Sequence, residues 1–246
     1  MTRGRLTAYL RYQVLDFLIL RAALPVALVV LMGTMFLKTG RPPESWAGAR
    51  EQMFLTQIFR ILSGMFITLA PFIAVTRLIT DDRANGHFRF LFSKPVSIER
   101  FYIQQWVLHG AGLVVLAGLL ALLLQAVTAT VPVGAAMAMT GLTWLLVGGV
   151  GFALTAASNQ DTILLVVAYV VSTVLHSVKD AVGSPMPGWL RQVTRVTLPT
   201  QKLDYIRDQL YAGNEVPWEH VAHVAGYGLV AFAVAIVVLR RSSFAR

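Results

Sequence analysis

Residues 134–157 read GAAMAMTGLTWLLVGGVGFALTAA, twenty-four positions without one ionisable side chain. A helix rises about 1.5 Å per residue, and the hydrocarbon core of a bilayer is about 30 Å thick. About twenty such residues therefore cross it. The stretch reads as a membrane span. Inside lipid every backbone N–H and C=O must find its partner within the protein, so the span is a helix.

Five further apolar runs lie on either side. They cover residues 22–37, with Pro25 in the first turn, 53–76, interrupted by Arg60, 101–127, 162–178 and 218–239. The sequence thus predicts an all-α integral membrane protein of six transmembrane helices. It forms a single transmembrane domain over 1–246, without internal repeats. Composition agrees. Hydrophobic residues make up 56% of the 246 and charged residues 13%, against about 25% charged in soluble domains. A soluble core and a disordered chain are both excluded. With no cysteine there is no disulfide, thiol nucleophile, iron–sulfur cluster or Cys-ligated zinc. No small-x-small cleavage site follows the first run convincingly, so it is expected to stay as an anchor.

The net charge of +9 raises the question of nucleic acid. The basic residues sit between apolar blocks and form no tract interleaved with aromatics, so no nucleic-acid partner is expected. Flanking spans, they meet anionic lipid headgroups and set topology. With both termini inside, the inner segments hold twelve of the 21 Lys and Arg, among them Arg3, Arg11, Arg21, Arg77, Arg83, Arg240 and Arg241. That margin favours cytoplasmic termini.

Three segments outside the spans carry pattern. Over Arg3 to Phe17, the apolar Leu6, Leu10, Val14 and Phe17 share a face, which predicts an amphipathic helix lying on the inner membrane surface. In the outer loop 179–217, Pro185 and Pro187 break the chain. A helix then begins that Thr200 can cap, with Leu203, Ile206 and Leu210 on one face and Gly213 at its end. The third segment joins the second and third spans.

Chemistry is sparse. No phosphate-binding G-x-x-x-x-G-K-[ST] occurs, so ATP hydrolysis by a P-loop is not expected in this chain. Gly148, Gly149 and Gly151 lie in an apolar span and point to close helix packing instead. His220 and His223, three apart, can share a helix face, and His176 joins them if the fifth and sixth spans meet. With no acidic or cysteine partner at ligand spacing they read first as interfacial histidines, and second as a haem or metal site. No hydrolase motif or triad stands out. Acidic residues all fall near span ends, against an ion-coupled transporter. Arg60 is the single charge well inside a span; it either faces a polar pathway or snorkels to the interface.

The third segment runs Arg77-Leu-Ile-Thr-Asp81-Asp82-Arg83-Ala-Asn85-Gly86-His-Phe88-Arg89-Phe-Leu-Phe92-Ser-Lys94-Pro95-Val-Ser97. It reads as a charged turn and a short helix with an apolar face of Phe88, Leu91 and Phe92, closed by Pro95. Ser97 caps the third span, with Glu99 in its first turn. A short, charged, aromatic helix suits docking to a soluble partner.

This arrangement resembles the type-2 ABC transporter permeases, the membrane subunits of exporter-class ABC systems. The resemblance rests on Asp82-Arg83, Gly86, the Phe88 to Phe92 cluster and Lys94-Pro95-Val96-Ser97. It extends to the basic N-terminal elbow, six spans, the long fifth-to-sixth connection and the Arg240-Arg241 end with Phe244. Many members carry Glu where this chain has Asp82. The resemblance implies a non-enzymatic permease of a bacterial inner membrane, paired with a second permease copy or paralogue. Two separate ATPase subunits would supply the ATP and Mg chemistry. Asp82, Arg83, Gly86, Phe88, Arg89, Phe92, Lys94 and Pro95 would form the coupling element seated on the ATPase. Arg60, Gln125, Thr128 and Asn159 are the occasional polar groups of an otherwise apolar pathway. Two rivals stay open: a structural or assembly subunit without transport activity, and a membrane haem or metal protein.

Overall fold

The computed structural model describes residues 11, 13–39, 48–76, 78–84, 98–125, 132–182, 187–188, 192–194 and 197–241. These residues are helical apart from short connections. In chain order, a π-helical turn Phe17–Ala22 leads into α1 (Ala23–Thr39). Then come α2 (Ala49–Val75), the short α3 (Thr80–Ala84) and α4 (Ile98–Gln125). α5 (Val133–Thr143) passes through a second π turn, Trp144–Gly148, into α6 (Gly149–Ala157). α7 (Asp161–Val182), α8 (Thr200–Ala212) and α9 (Trp218–Arg241) complete the chain.

Six helical stretches are long and apolar enough to cross a membrane: Gln13–Met35, Thr56–Asp82, Ile98–Gln125, Val133–Ala157, Asp161–Val178 and Trp218–Arg241. The last five match the expected spans to within a few residues. The first does not. The sequence predicts a surface helix ending at Phe17 and a span opening at Ala22. In the structure one helix runs on through both, so the expected break between Phe17 and Ala22 is absent. Pro25 explains the local form. It has no N–H to give the Arg21 carbonyl, and its ring crowds that turn. The wider π turn that ends at Ala22 takes up the misfit without breaking the helix. Arg3 to Leu10, most of the expected elbow, lie outside the described residues.

The chain groups into two compact units. One holds Met1–Ala74 and Ile103–Gly141, the other Val75–Tyr102 and Leu142–Arg246. In the first, the Phe17 ring lies over Gly112, where an added Cβ would stand 2.5 Å from a ring carbon. The same ring packs at 5.3 Å between centroids from His109. Met137 covers Gly118 in the same way, at 2.9 Å. Glycine at these points lets helices meet without a hydrophobic driving force between them.

In the second unit α9 packs most extensively along α6 and the π turn before it. The crossing is backbone on backbone. A Cβ on Gly149 would collide with the Gly228 carbonyl, and one on Gly228 with the Leu145 carbonyl. Gly151 admits Val75 and Leu165. The expected packing role of Gly149 and Gly151 is thus realised, and Gly228 is the partner.

Three buried hydroxyls in the spans are satisfied along their own helices. Thr140 Oγ1 donates to the Ala136 carbonyl at 2.8 Å, Thr155 Oγ1 to the Phe152 carbonyl at 3.0 Å and Ser172 Oγ to the Ala168 carbonyl at 2.7 Å. Ser172 also accepts the Leu198 N–H at 3.1 Å, fastening the approach to α8 onto α7. α8 then buries Leu203 and Ile206 and packs against α7 and α9. It ends at Gly213, whose φ of 72° is the left-handed conformation glycine takes most readily. Thr200 does not cap it. Pro199 holds the cap position, no side chain caps the helix, and Thr200 is its buried first residue.

Candidate functional site: the anchored ends of the 77–102 stretch

The stretch that resembles a docking element has both flanks in the second unit. On the leading flank Leu78 is 2% exposed and Ile79 fully buried, a hydrophobic root for the charged turn that follows. Asp81 and Asp82 occupy the first turn of α3, where a carboxylate suits the unpaired N–H groups. The Asp82 carboxylate accepts a hydrogen bond from the Tyr102 hydroxyl at 3.0 Å. On the trailing flank Glu99, in the first turn of α4, meets Arg240 at the end of α9. Arg240 Nε lies 3.0 Å from Oε1 and a terminal nitrogen 3.3 Å from Oε2. That is a two-pronged carboxylate–guanidinium pair, the geometry in which such pairs hold direction best. Both partners are partly exposed, so its worth in stability is at most about 1 kcal/mol.

Tyr102 is fully buried. Phe101 meets it edge-on at 5.2 Å, and Phe152 of α6 lies 6.3 Å away. Phe152 in turn stacks at 5.1 Å against Phe232 of α9. A row of rings thus runs from the Asp82 carboxylate into the two helices that cross at Gly149 and Gly228.

Of the residues expected to dock, Asp82 and the backbone of Arg83 are placed. Gly86, Phe88, Arg89, Phe92, Lys94 and Pro95, with Ser97, lie outside the described residues. Sequence reasoning missed Tyr102 as the Asp82 partner, and Arg240 as the Glu99 partner. The second had a signal: opposite charges at two span ends assigned to the same side.

The far end of the second unit differs in character. The His220 ring packs at 5.1 Å from Tyr205 of α8. Residues 220 and 240 stand about 30 Å apart along α9, so α8 and the Glu99–Arg240 pair occupy opposite ends of a membrane-length helix. Burial pushes the Asp204 carboxyl of α8 above its ordinary range; Arg207, in contact at 2.9 Å, pulls it back, and Asp208 adds to the rise. His176 Nδ1 lies 2.6 Å from the Ser172 carbonyl. No three His, Cys, Asp or Glu side chains converge for a metal among the described residues.

Of the expected pathway residues, Arg60 and Gln125 belong to the first unit and Asn159 to the second. Arg60 is exposed and only one turn into the apolar span that opens at Thr56. Gln125 is exposed at the last residue of α4, and Asn159 in the bend between α6 and α7. Gln125 is the end residue of its candidate span, and Asn159 lies between two of them. Thr128 lies outside the described residues. The first unit does hold a small apolar cleft, with Val29, Leu62, Phe66, Ala117 and Leu124 in its lining. Ser63 is the polar residue there, and its hydroxyl donates to the Arg60 carbonyl at 3.3 Å.

A polar set unseen in the sequence lies nearer the start of the first unit's helices. Gln13 and His109 are fully buried and Gln105 is 6% exposed. The Arg21 charge is close enough to act on the His109 ring.

No protein-family model, curated protein or solved structure matches this chain.

Proposed function

We propose that the chain is the membrane permease subunit of an ATP-driven ABC exporter. In this reading it sits in a bacterial inner membrane with both termini cytoplasmic. It pairs with a second permease, identical or paralogous, and with two ATPase subunits that bind ATP and Mg. The observation that carries the reading is the fixing of both flanks of the 85–97 stretch. Asp82 is held by Tyr102 and Glu99 by Arg240, all within a unit whose helices cross tightly. A segment that must transmit a push needs rigid roots, and these roots lead directly into α6 and α9. The family resemblance of Asp82 to Ser97 supplies the identity of the partner.

Exposure of Arg60 on the single chain is compatible with a pathway formed between two permeases, where each chain contributes an outward face. The experiment is purification from native membranes in mild detergent. A P-loop ATPase should co-purify, and R83A/R89A should weaken its association more than membrane insertion. Co-purification in normal ratio by the variant, with ATP turnover still responsive to the permease, would reject the docking assignment. A complex with no ATPase at all would favour the structural-subunit reading.

A further inference from the structure

The docking reading leaves open how the segment is fastened to the helices it would move. Tyr102 is completely enclosed, with Phe101 on its edge and Phe152 beyond. Phe152 is itself backed by Phe232. Interiors packed at this density do not allow a ring to swing without displacing its neighbours. The Tyr102 hydroxyl is therefore a fixed point, and the group it reaches is the Asp82 carboxylate, twenty residues earlier in the chain. Hydrogen bonds to a carboxylate are roughly twice as strong as neutral ones, and this one spans 3.0 Å, the long end of the hydroxyl range. The Glu99–Arg240 pair fastens the other flank, but it is partly exposed and open to competition from water and salt. Of the two ties, the buried one sets the position.

We infer that Tyr102 is the positioning residue of the docking segment, pinning its leading flank at Asp82 to the aromatic row of α6 and α9. This rests on the reading of residues 82–95 as the docking element. Displacement of α3 then pulls on a ring that cannot turn, and the load passes through Phe152 and Phe232 to the crossing at Gly149 and Gly228. The bond also has a defined polarity. The tyrosine donates and the carboxylate accepts, so an amide at position 82 keeps the acceptor while an alanine removes it.

The test uses the cysteine-free chain in lipid nanodiscs, with spin labels on N85C and S177C. The unsubstituted Tyr102 background should give one narrow distance distribution. Y102F should broaden it about twofold by releasing α3. D82A should do the same from the other side, and it serves in place of Y102F if that variant fails to insert. D82N should stay as narrow as the background. Role separates from mere stability in the same samples: a purely structural hydroxyl would lower the thermal midpoint of Y102F without broadening the distribution. That result, or a Y102F width equal to the background, overturns the inference. Where an ATPase co-purifies, Y102F should keep it bound yet lose most of the permease-dependent change in ATP turnover. Loss of the ATPase from every sample would reject the docking reading alone, because the label distances still decide whether Tyr102 pins α3.

Discussion

Gly228 has a backbone carbonyl where a side chain would begin. An added Cβ would collide with the oxygen of Leu145, and the reciprocal Cβ on Gly149 with the oxygen of Gly228. Neither obstacle can rotate away, unlike the Phe17 ring that covers Gly112. Overpacking of this kind costs about 1–3 kcal/mol, with backbone obstacles at the upper end. Gly226, one turn-fraction away on the same helix, has nothing within 4 Å of its Cβ position. There alanine should be neutral or gain up to about 1 kcal/mol of helix propensity. G228A and G149A should therefore lower the thermal midpoint in detergent, while G226A should not. Equal midpoints for G226A and G228A would show that the crossing is looser than described. The contrast also marks what a sequence can tell. Gly148, Gly149 and Gly151 stand together in an apolar run and announce close packing by themselves. Gly226 and Gly228 look alike on the page, because the identity of a helix's neighbour is a long-range fact with no local signature.

Helix boundaries divide along the same line. Five spans were legible because twenty apolar residues between charges leave one physical solution. The first differs at its start, where Arg21 looks like a boundary because a charge inside a span is expected to be rare, yet the helix does not break there. In the structure Arg21 sits in a π turn that ends three residues before Pro25, close enough for its charge to act on the buried His109 ring. Local patterning cannot foresee that company. In the loop before α9, the apolar spacing of Leu203 and Ile206 and the terminal Gly213 located α8 correctly, whereas the Thr200 cap failed because Pro199 fixes the approach. α8 also carries a pH dependence. The Asp204 carboxyl is raised by burial and by Asp208, against the pull of Arg207. A carboxyl with its folded pKa above its unfolded one holds its proton more tightly when folded. Its contribution therefore favours the fold below the ordinary aspartate range and is lost as pH rises through the raised value. D204N removes that titration, so the rise in thermal midpoint on acidification through this window should be smaller in D204N than in the unsubstituted chain. An identical slope would assign the dependence to other groups.

At the scale of the whole chain, two expectations concern arrangement in the membrane and number of copies. α9 carries His220 beside α8 at one end and Arg240 beside Glu99 at the other, about 30 Å apart. Cysteines at Ser184 or Asn214 should thus react with an impermeant maleimide in intact cells, and cysteines at Asn85 or Ser243 only after the cells are opened. The reverse pattern would turn the chain over and remove the docking element from the ATPase side. The copy number follows from what the chain leaves outside. Several of its small-residue surfaces are used internally: Gly112 under Phe17, Gly118 under Met137, Gly149 against Gly228 and Gly151 against Val75. The exposed faces are bulky instead, as on α7, where Ile163, Val166, Val167, Val170 and Val174 point outward. Lipid tails cover such a face as well as protein does, so apolar area alone does not demand a second chain. The polar groups argue for one. Arg60 is exposed one turn inside its span, and the cleft of the first unit is lined almost wholly by apolar side chains. A polar or amphiphilic cargo has no polar lining in that cleft. A second permease that faces Arg60 across a shared path would supply one. The purified complex should therefore contain two six-span chains, this one of 27.0 kDa with a copy or a paralogue, and R60C should crosslink to the second chain rather than to lipid. A complex holding one six-span chain, with R60C labelled only by lipid-soluble reagents, removes the shared path. Arg60 is then an interfacial anchor, and a structural subunit becomes the better account of the same fold.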